Sequence, residues 1–332
     1  MKYLLISNPL SGSSAQRRND AERFLRRFKE MGHEVSLCYT ERAGHATEIA
    51  RESIGRYDVI CAVGGDGTVN EVGQSLRGTE QTMGIIPRGS GNGLARELEI
   101  PLSPEDAIEC LLQDRRATID TCVANGDPFF CTCGMGFDGS VSTEFAKSTS
   151  RGPMTYVKDS VQTFFNHTPE LYTLTVDGEQ SRHRAFLIAA ANASQYGNNA
   201  FIAPGASITD RMLDVTVIRE FPALEAAQVA IQLFSKGLGK NPYTRLYRGH
   251  KILIEAKAPT PYHLDGDPKP PTDRLEIEVS PRELHIVTGD MSSIKGKSVI
   301  DFFNQITNNY FEWRDELIGN VRDTFKIEKD NK

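Results

Sequence analysis

The sequence predicts a two-part chain of the α/β class: an N-terminal doubly wound layer, then an antiparallel β-sandwich, then a closing helix. Three observations carry that expectation. Apolar strand-like runs alternate with amphipathic stretches through residue 116, which is the pattern of a doubly wound sheet. From Ala117 the apolar runs become short, often β-branched or aromatic, and separated by turn dipeptides such as Asn125-Gly126 and Asp177-Gly178, which is the pattern of a sandwich. Val299, Phe302, Phe303, Ile306, Tyr310, Trp313, Leu317 and Val321 then recur at helical spacing. At 332 residues the chain exceeds the usual single-domain size, and with 39% of its residues hydrophobic each part can bury a core. The expected division is 1–116, 117–290 and a C-terminal helix over 291–332.

In chain order, Tyr3–Ser7, Glu34–Tyr39, Asp58–Val63 and Gly84–Pro87 read as strands of the first part. Ala15–Met31, His45–Ile54, Val69–Leu76, Leu94–Glu99 and Pro104–Leu112 read as its helices. Thr118–Ala124, Phe129–Cys133, Leu171–Val176, Arg184–Asn192, Met212–Arg219, Lys251–Ala256, Leu275–Val279 and Glu283–Val287 read as sandwich strands, interrupted by helices near 140–165 and 223–237.

Two glycine-rich turns each follow a strand and open a helix: Gly64-Gly65-Asp66-Gly67-Thr68 and Gly89-Ser90-Gly91-Asn92-Gly93. Glycine allows close backbone approach, and the first N–H groups of the following helix point at an anion with the helix dipole behind them. Both turns belong at the carboxyl edge of a parallel sheet, so the first part is expected to bind a nucleotide phosphate. Gly64, Gly65, Gly67, Thr68, Ser90, Gly91 and Asn92 are the candidate cradle. Asn70 and Glu71 follow one helical turn later. Asp66 is an acid inside an anion cradle, which points to a magnesium ion between carboxylate and phosphate or to general-base duty. The P-loop pattern is absent, and so is a G-x-G-x-x-G in the first strand-helix unit.

A second acidic pair, Asp265 and Asp267, brackets Gly266. On an extended segment these side chains share a face and can bracket a hydroxyl and a metal-bound phosphate. An ordinary Asp-Gly turn is the competing reading, because Asp177-Gly178-Glu179 shows nearly the same letters in a plain hairpin.

The net charge of −6 argues against nucleic acid as a partner. The basic residues Arg17, Arg18, Arg23, Arg26, Arg27 and Lys29 read as a solvated helix face. Met1–Ile6 reads as a strand rather than a signal peptide, and no apolar run is long enough to span a bilayer. Cys38, Cys61, Cys110, Cys122, Cys131 and Cys133 form no C-x-x-C pair and read as core thiols of a cytoplasmic protein. The seven histidines form no ligand-like pair.

GGDGTVNEV followed about 20 residues later by IIPRGSGNGLAREL resembles the catalytic domain shared by diacylglycerol, sphingosine, ceramide and bacterial lipid kinases. The resemblance extends to Asn8-Pro9 with Ser11-Gly12, Thr40, Gly134 and Gly136 before Asp138, Ala203-Pro204 with Ala206, and His263-Leu264-Asp265-Gly266-Asp267. It implies an active site between an α/β nucleotide domain and a sandwich, with the C-terminal helix returning to the first domain. It implies ATP and Mg2+ as cofactors, Asn8 and Thr40 near the nucleotide, and phosphoryl transfer to a hydroxyl of diacylglycerol or a sphingoid base. The base is open among Asp66, Asp265 and Asp267, with Asp267 or Asp265 preferred as base and Asp66 on magnesium. A structural magnesium would use Asp210 with the Ser207 and Met212 carbonyls, although Arg211 stands where the family usually has glycine. The implied partner is a membrane lipid met by peripheral contact from the cytoplasm, and a homodimer is compatible with the sequence. An enzyme like NAD kinase and a silent lipid-binding module are the alternatives.

Overall fold

The computed structural model describes residues 1–9, 17–147, 163 and 167–291. The helix expected over 291–332 lies outside the described residues after Met291, as does most of the expected 140–165 helix beyond Lys147.

The first layer is a six-stranded sheet in the order β2-β1-β3-β4-β15-β5. Its strands are β1 (Lys2–Ser7), β2 (Glu34–Tyr39), β3 (Val59–Gly64), β4 (Thr82–Pro87), β5 (Arg116–Ile119) and β15 (Leu284–Val287). β1 to β4 are parallel, as alternation with helices α1 (Arg17–Glu30), α2 (His45–Ser53) and α3 (Asp66–Leu76) requires, and the short α4 (Gly93–Glu97) follows β4. Alternate residues of each strand face opposite sides. Leu4, Ile6, Ile60, Ala62 and Ile85 meet α2 and α3 through Ala46, Ala50, Val69, Val72 and Leu76. Tyr3, Leu5, Val59, Cys61, Val63 and Ile86 meet α1 through Phe24 and Phe28, and α5 (Pro104–Leu112) through Ile108 and Leu111. Each face buries its own cluster, so the strands read as continuous apolar runs.

The second layer is a nine-stranded, sandwich-like sheet in the order β12-β11-β10-β8-β13-β14-β6-β7, with β9 pairing β10 and β13. Its strands are β6 (Cys122–Ala124), β7 (Asp127–Phe129), β8 (Thr132–Gly136), β9 (Glu170–Val176), β10 (Glu179–Ala191), β11 (Leu213–Arg219), β12 (Thr244–Gly249), β13 (Lys251–Leu264) and β14 (Asp267–Val279). The long strands β10 and β13 close the layer on itself. Each pairs with β8 at one end and with β9 at the other. The enclosed core contains Met135, Tyr172, Leu174, Ile188, Val215, Ile254 and Leu275. Helix α6 (Phe137–Lys147) follows β8, and α7 (Ala226–Phe234) follows β11.

Three expectations are corrected. Thr118–Ala124 is not one strand: the chain leaves the first sheet after Ile119 and enters the second at Cys122. Asp120 and Thr121 make the crossing, with Asp120 Oδ2 accepting the Arg211 N–H (2.6 Å) and the Thr121 hydroxyl donating to the Arg282 carbonyl (2.5 Å). The segment 283–287 does not join the sandwich, because β15 pairs in parallel with β4 and antiparallel with β5. Finally, β13 and β14 run on through the proline-rich stretch 257–273 to the Asp265-Gly266 turn. Register shifts between Glu255 and Tyr262 accommodate the prolines there.

Candidate active site

Strand order places the candidate groups together. Asn8 and Thr40 follow β1 and β2, and the two glycine turns follow β3 and β4, all at the carboxyl edge of the first sheet. The Asn8 N–H donates to the Val63 carbonyl (3.2 Å), and the buried Thr40 donates its N–H to the Ser7 carbonyl (3.0 Å).

The glycine turns touch backbone to backbone. A Cβ on Gly89 would lie 2.6 Å from the Gly65 Cα, and one on Gly91 would lie 2.7 Å from Asp66 Oδ2. The Arg88 N–H donates to the Gly64 carbonyl (2.8 Å), tying the turns at their base. Asp66, the first residue of α3, ties them at their tips: Oδ2 accepts the Asn92 N–H (2.9 Å) and Oδ1 the Gly93 N–H (2.7 Å). Burial raises its pKa against those two amides and the nearby charge of Arg96. Asn92 has a left-handed backbone and closes its own turn, with Oδ1 accepting from Gly89 N (2.8 Å) and Nδ2 donating to Gly89 O (2.7 Å). Asn92 and Asp66 therefore build the cradle. Ser90 and Gly67 stay exposed at its rim, while Thr68 is buried against Gly64.

Glu71, expected beside the nucleotide, serves another element. Its two oxygens accept the Gly44 (2.9 Å) and Ala46 (3.1 Å) amides at the start of α2, the favourable place for a carboxylate on a helix.

Asp265 sits at the tip of the β13–β14 hairpin and reaches back over its own sheet. Oδ1 accepts the Cys131 (2.7 Å) and Thr132 (3.0 Å) amides, and Oδ2 accepts the Phe130 amide (2.9 Å) and the Asn70 side-chain amide (3.1 Å). Although the residue keeps partial exposure, burial of its carboxyl group outweighs these donors and raises the pKa to about 6. Asn70 belongs to α3, so this contact joins the nucleotide-type turn to the sandwich. Asp267, two residues on, is exposed.

Several further polar groups meet these turns: Asp138, His263, Arg96 and Glu97 lie in the stretches that carry the resemblance without being singled out as site residues, and Tyr196, Ser194 and Asn198 lie outside them. Tyr196 donates its hydroxyl to the buried Asp138, whose pKa burial raises to about 7. His263, also buried and with its pKa lowered by burial to about 4, accepts the Gly266 N–H on Nδ1 (3.1 Å) and so braces the hairpin tip. Arg96 holds the second glycine turn through the Gly91 carbonyl (2.9 Å) and reaches Asn198 (3.1 Å), while Glu97 accepts the Ser194 N–H (3.1 Å) and hydroxyl (2.7 Å). The second turn is thus clamped by the sandwich segment 194–198.

The expected structural magnesium set departs from its pattern. Arg211 retains the positive φ (60°) of a glycine, but the Asp210 carboxylate is ion-paired with Arg248 and accepts the Met212 N–H (3.1 Å). Ser207 lies with Thr209 (3.4 Å). A guanidinium stands at Asp210 where the ion was expected. Among the described residues no group of three or more His, Cys, Asp or Glu side chains is placed to hold a metal. Asp66 is a carboxylate within the phosphate-type cradle; each of its oxygens accepts one turn amide, and a remaining lone pair could meet a magnesium ion carried mainly by substrate phosphates.

The sequence and the fold have counterparts among known proteins. Residues 2–124 match the diacylglycerol kinase catalytic domain, and residues 131–288 match the YegS C-terminal NAD kinase beta sandwich-like domain. The chain belongs to the diacylglycerol kinase family of lipid kinases. It is 28% identical over 272 residues to a diacylglycerol kinase of Bacillus subtilis, covering 79% of this chain and 88% of that protein. A crystal structure of a diacylglycerol kinase from Bacillus anthracis superposes with a TM-score of 0.65 at 22% identity, covering 87% of this chain and 97% of the other. An NAD kinase from Archaeoglobus fulgidus, solved with ATP, shares the fold with a TM-score of 0.51 at 16% identity, covering 87% and 94%. Family membership makes this kinase an enzyme of the phosphotransferase class.

Proposed function

We propose that this kinase transfers the γ-phosphate of ATP to a hydroxyl of diacylglycerol, with a sphingoid base as the competing acceptor. The observation that carries the reading is the junction of the two glycine turns by Asp66, set within one side-chain contact, Asn70 to Asp265, of a second acidic turn.

Phosphoryl transfer needs positioned phosphates, neutralised charge and an oriented acceptor. The turn amides other than those of Gly89, Asn92 and Gly93, which Asn92 and Asp66 take, and the Thr68 and Ser90 hydroxyls are the donors for the phosphates, with Asn8 and Thr40 beside them and Gly64, Gly65, Gly67 and Gly91 letting the backbone approach. Asp66 is the residue that would hold a magnesium ion, which would supply the charge neutralisation. Asp265 is saturated by four donors and serves to fix the hairpin tip. That leaves Asp267 as the exposed carboxylate of the pair to take the hydroxyl proton. The acceptor oxygen attacks the γ-phosphorus, the bond to the β,γ-bridging oxygen breaks, and ADP departs. Among the described residues no helix is long and apolar enough to cross a membrane. In this reading the acceptor lipid is met by peripheral contact from the cytoplasm.

The test is incubation of the purified protein with γ-labelled ATP, magnesium and, in parallel, dioleoylglycerol, sphingosine, ceramide and NAD. Label in dioleoylglycerol or sphingosine supports the reading and selects the acceptor. Label in NAD, or in no acceptor, contradicts it.

A further inference from the structure

The sandwich part carries three large apolar side chains outside its core. Leu224 is 95% exposed, Ile231 on α7 is 49% exposed and Leu246 on β12 is 54% exposed. A Cβ on Gly239 would lie 3.3 Å from Leu246, so β12 and the turn after α7 share one surface. No residue of α7 is fully buried. Isolated exposed leucines are common, but the charge around these is not average for an acidic chain. Glu225 follows Leu224, but the next 29 residues, Ala226 to Ile254, contain no Asp or Glu and carry Lys236, Lys240, Arg245, Arg248 and Lys251. Arg248 is paired with Asp210, and Lys251 with Glu278. Arg245 donates to the Pro242 (3.2 Å) and Thr244 (2.8 Å) carbonyls, and Lys236 lies 4.4 Å over the Phe201 ring, where its charge also acts on Glu97.

The face also adjoins the site. The Phe201 N–H donates to the Leu233 carbonyl on α7 (2.8 Å). Val229 and Leu233 pack on the cluster of Phe186, Leu187 and Ile202 against which Tyr196 also packs. Tyr196 in turn reaches Asp138 beside the hairpin tip.

We propose that Leu224, Ile231 and Leu246, ringed by Lys236, Lys240 and Arg245, form the surface by which this kinase docks on an anionic lipid bilayer. Apolar side chains enter the headgroup boundary while cations meet the lipid charge. The assignment rests on a lipid being the acceptor, which the experiment separates from the docking itself.

Cosedimentation with phosphatidylcholine vesicles, with and without phosphatidylglycerol, reads the docking directly. Wild type is expected on the anionic vesicles, released as salt rises from about 0.05 to about 0.5 M. The double variant Leu224→Glu, Ile231→Glu should lower the partition coefficient about tenfold or more, and Lys236→Gln with Lys240→Gln severalfold. Turnover of a short-chain diacylglycerol dissolved below its micelle concentration should stay within about twofold for both, and the melt should be unchanged. Vesicle binding by the double variant at the wild-type level overturns the proposal. So does loss of a dimer in sedimentation velocity with vesicle binding intact, which would assign the face to a second copy. Wild type that binds vesicles but phosphorylates no lipid leaves the docking surface standing and removes the kinase reading instead.

Discussion

Asp177-Gly178 joins β9 to β10, and Asp265-Gly266 joins β13 to β14. Both turns have positive φ at both residues, 46° and 94° in one and 50° and 87° in the other, as two-residue hairpins require. In both, the aspartate accepts backbone amides from a neighbouring segment. Asp177 takes the His250 (3.0 Å) and Lys251 (2.8 Å) amides in the open, and these lower its pKa. Asp265 takes three amides and Asn70 where burial raises its pKa instead. The local chemistry of the turn is the same. What sets the second hairpin apart is its place against α3, which no property of the dipeptide encodes.

Asp265→Asn breaks that comparison most sharply. Oδ2 faces two donors, so an amide nitrogen there would oppose the Phe130 and Asn70 N–H groups. A loss of about 2–4 kcal/mol in denaturant unfolding, with turnover down at least about 100-fold, is expected. Asp177→Asn should cost under about 1 kcal/mol and leave turnover unchanged. Second, Asn70→Ala and Asp265→Ala in a double-mutant cycle should show a coupling of roughly 0.5–3 kcal/mol, and additivity would mean the two turns are energetically independent. Third, His263→Phe removes the acceptor for Gly266 N–H and should lower stability by about 1 kcal/mol, with His263→Asn restoring much of it.

The smallest effect concerns sign. Asp265 has a raised pKa in the folded state, so its contribution is present below its unfolded value and is lost as pH rises through about 6. Asp177 has a lowered pKa, so its contribution is present at neutral pH and is lost on acidification. Chemical denaturation at a series of pH values should show the deficit of Asp265→Asn shrinking as pH rises from about 4 to about 7, while that of Asp177→Asn stays nearly constant over that range and shrinks only as pH falls below about 4. Parallel trends would refute the contrast.

Much of this was legible in the residues themselves. The parallel strands follow from the apolar runs, and the cradle follows from glycines that must approach one another, as Gly65 and Gly89 do. What local pattern could not supply was the partner of each polar group. Glu71 and Asn70 are neighbours on α3, yet one caps α2 and the other reaches Asp265, a difference set by the helix's rotation against two different elements. β15 reads as a sandwich strand by its letters and pairs with β4 because the chain crosses back between sheets after β14. Asp210 kept the letter of a metal ligand while Arg248, 38 residues away, met its charge.

The residue two beyond each turn's aspartate offers the most direct test of the central claim, that the glycine turns and the β13–β14 hairpin form one phosphotransfer site. Initial rates of label transfer from γ-labelled ATP to diacylglycerol would be measured for wild type, Asp267→Asn and Glu179→Gln, the matching positions of the two hairpins. A fall of about 100-fold or more for Asp267→Asn alone, with unchanged melts, is the predicted result. Equal rates for all three proteins would contradict it.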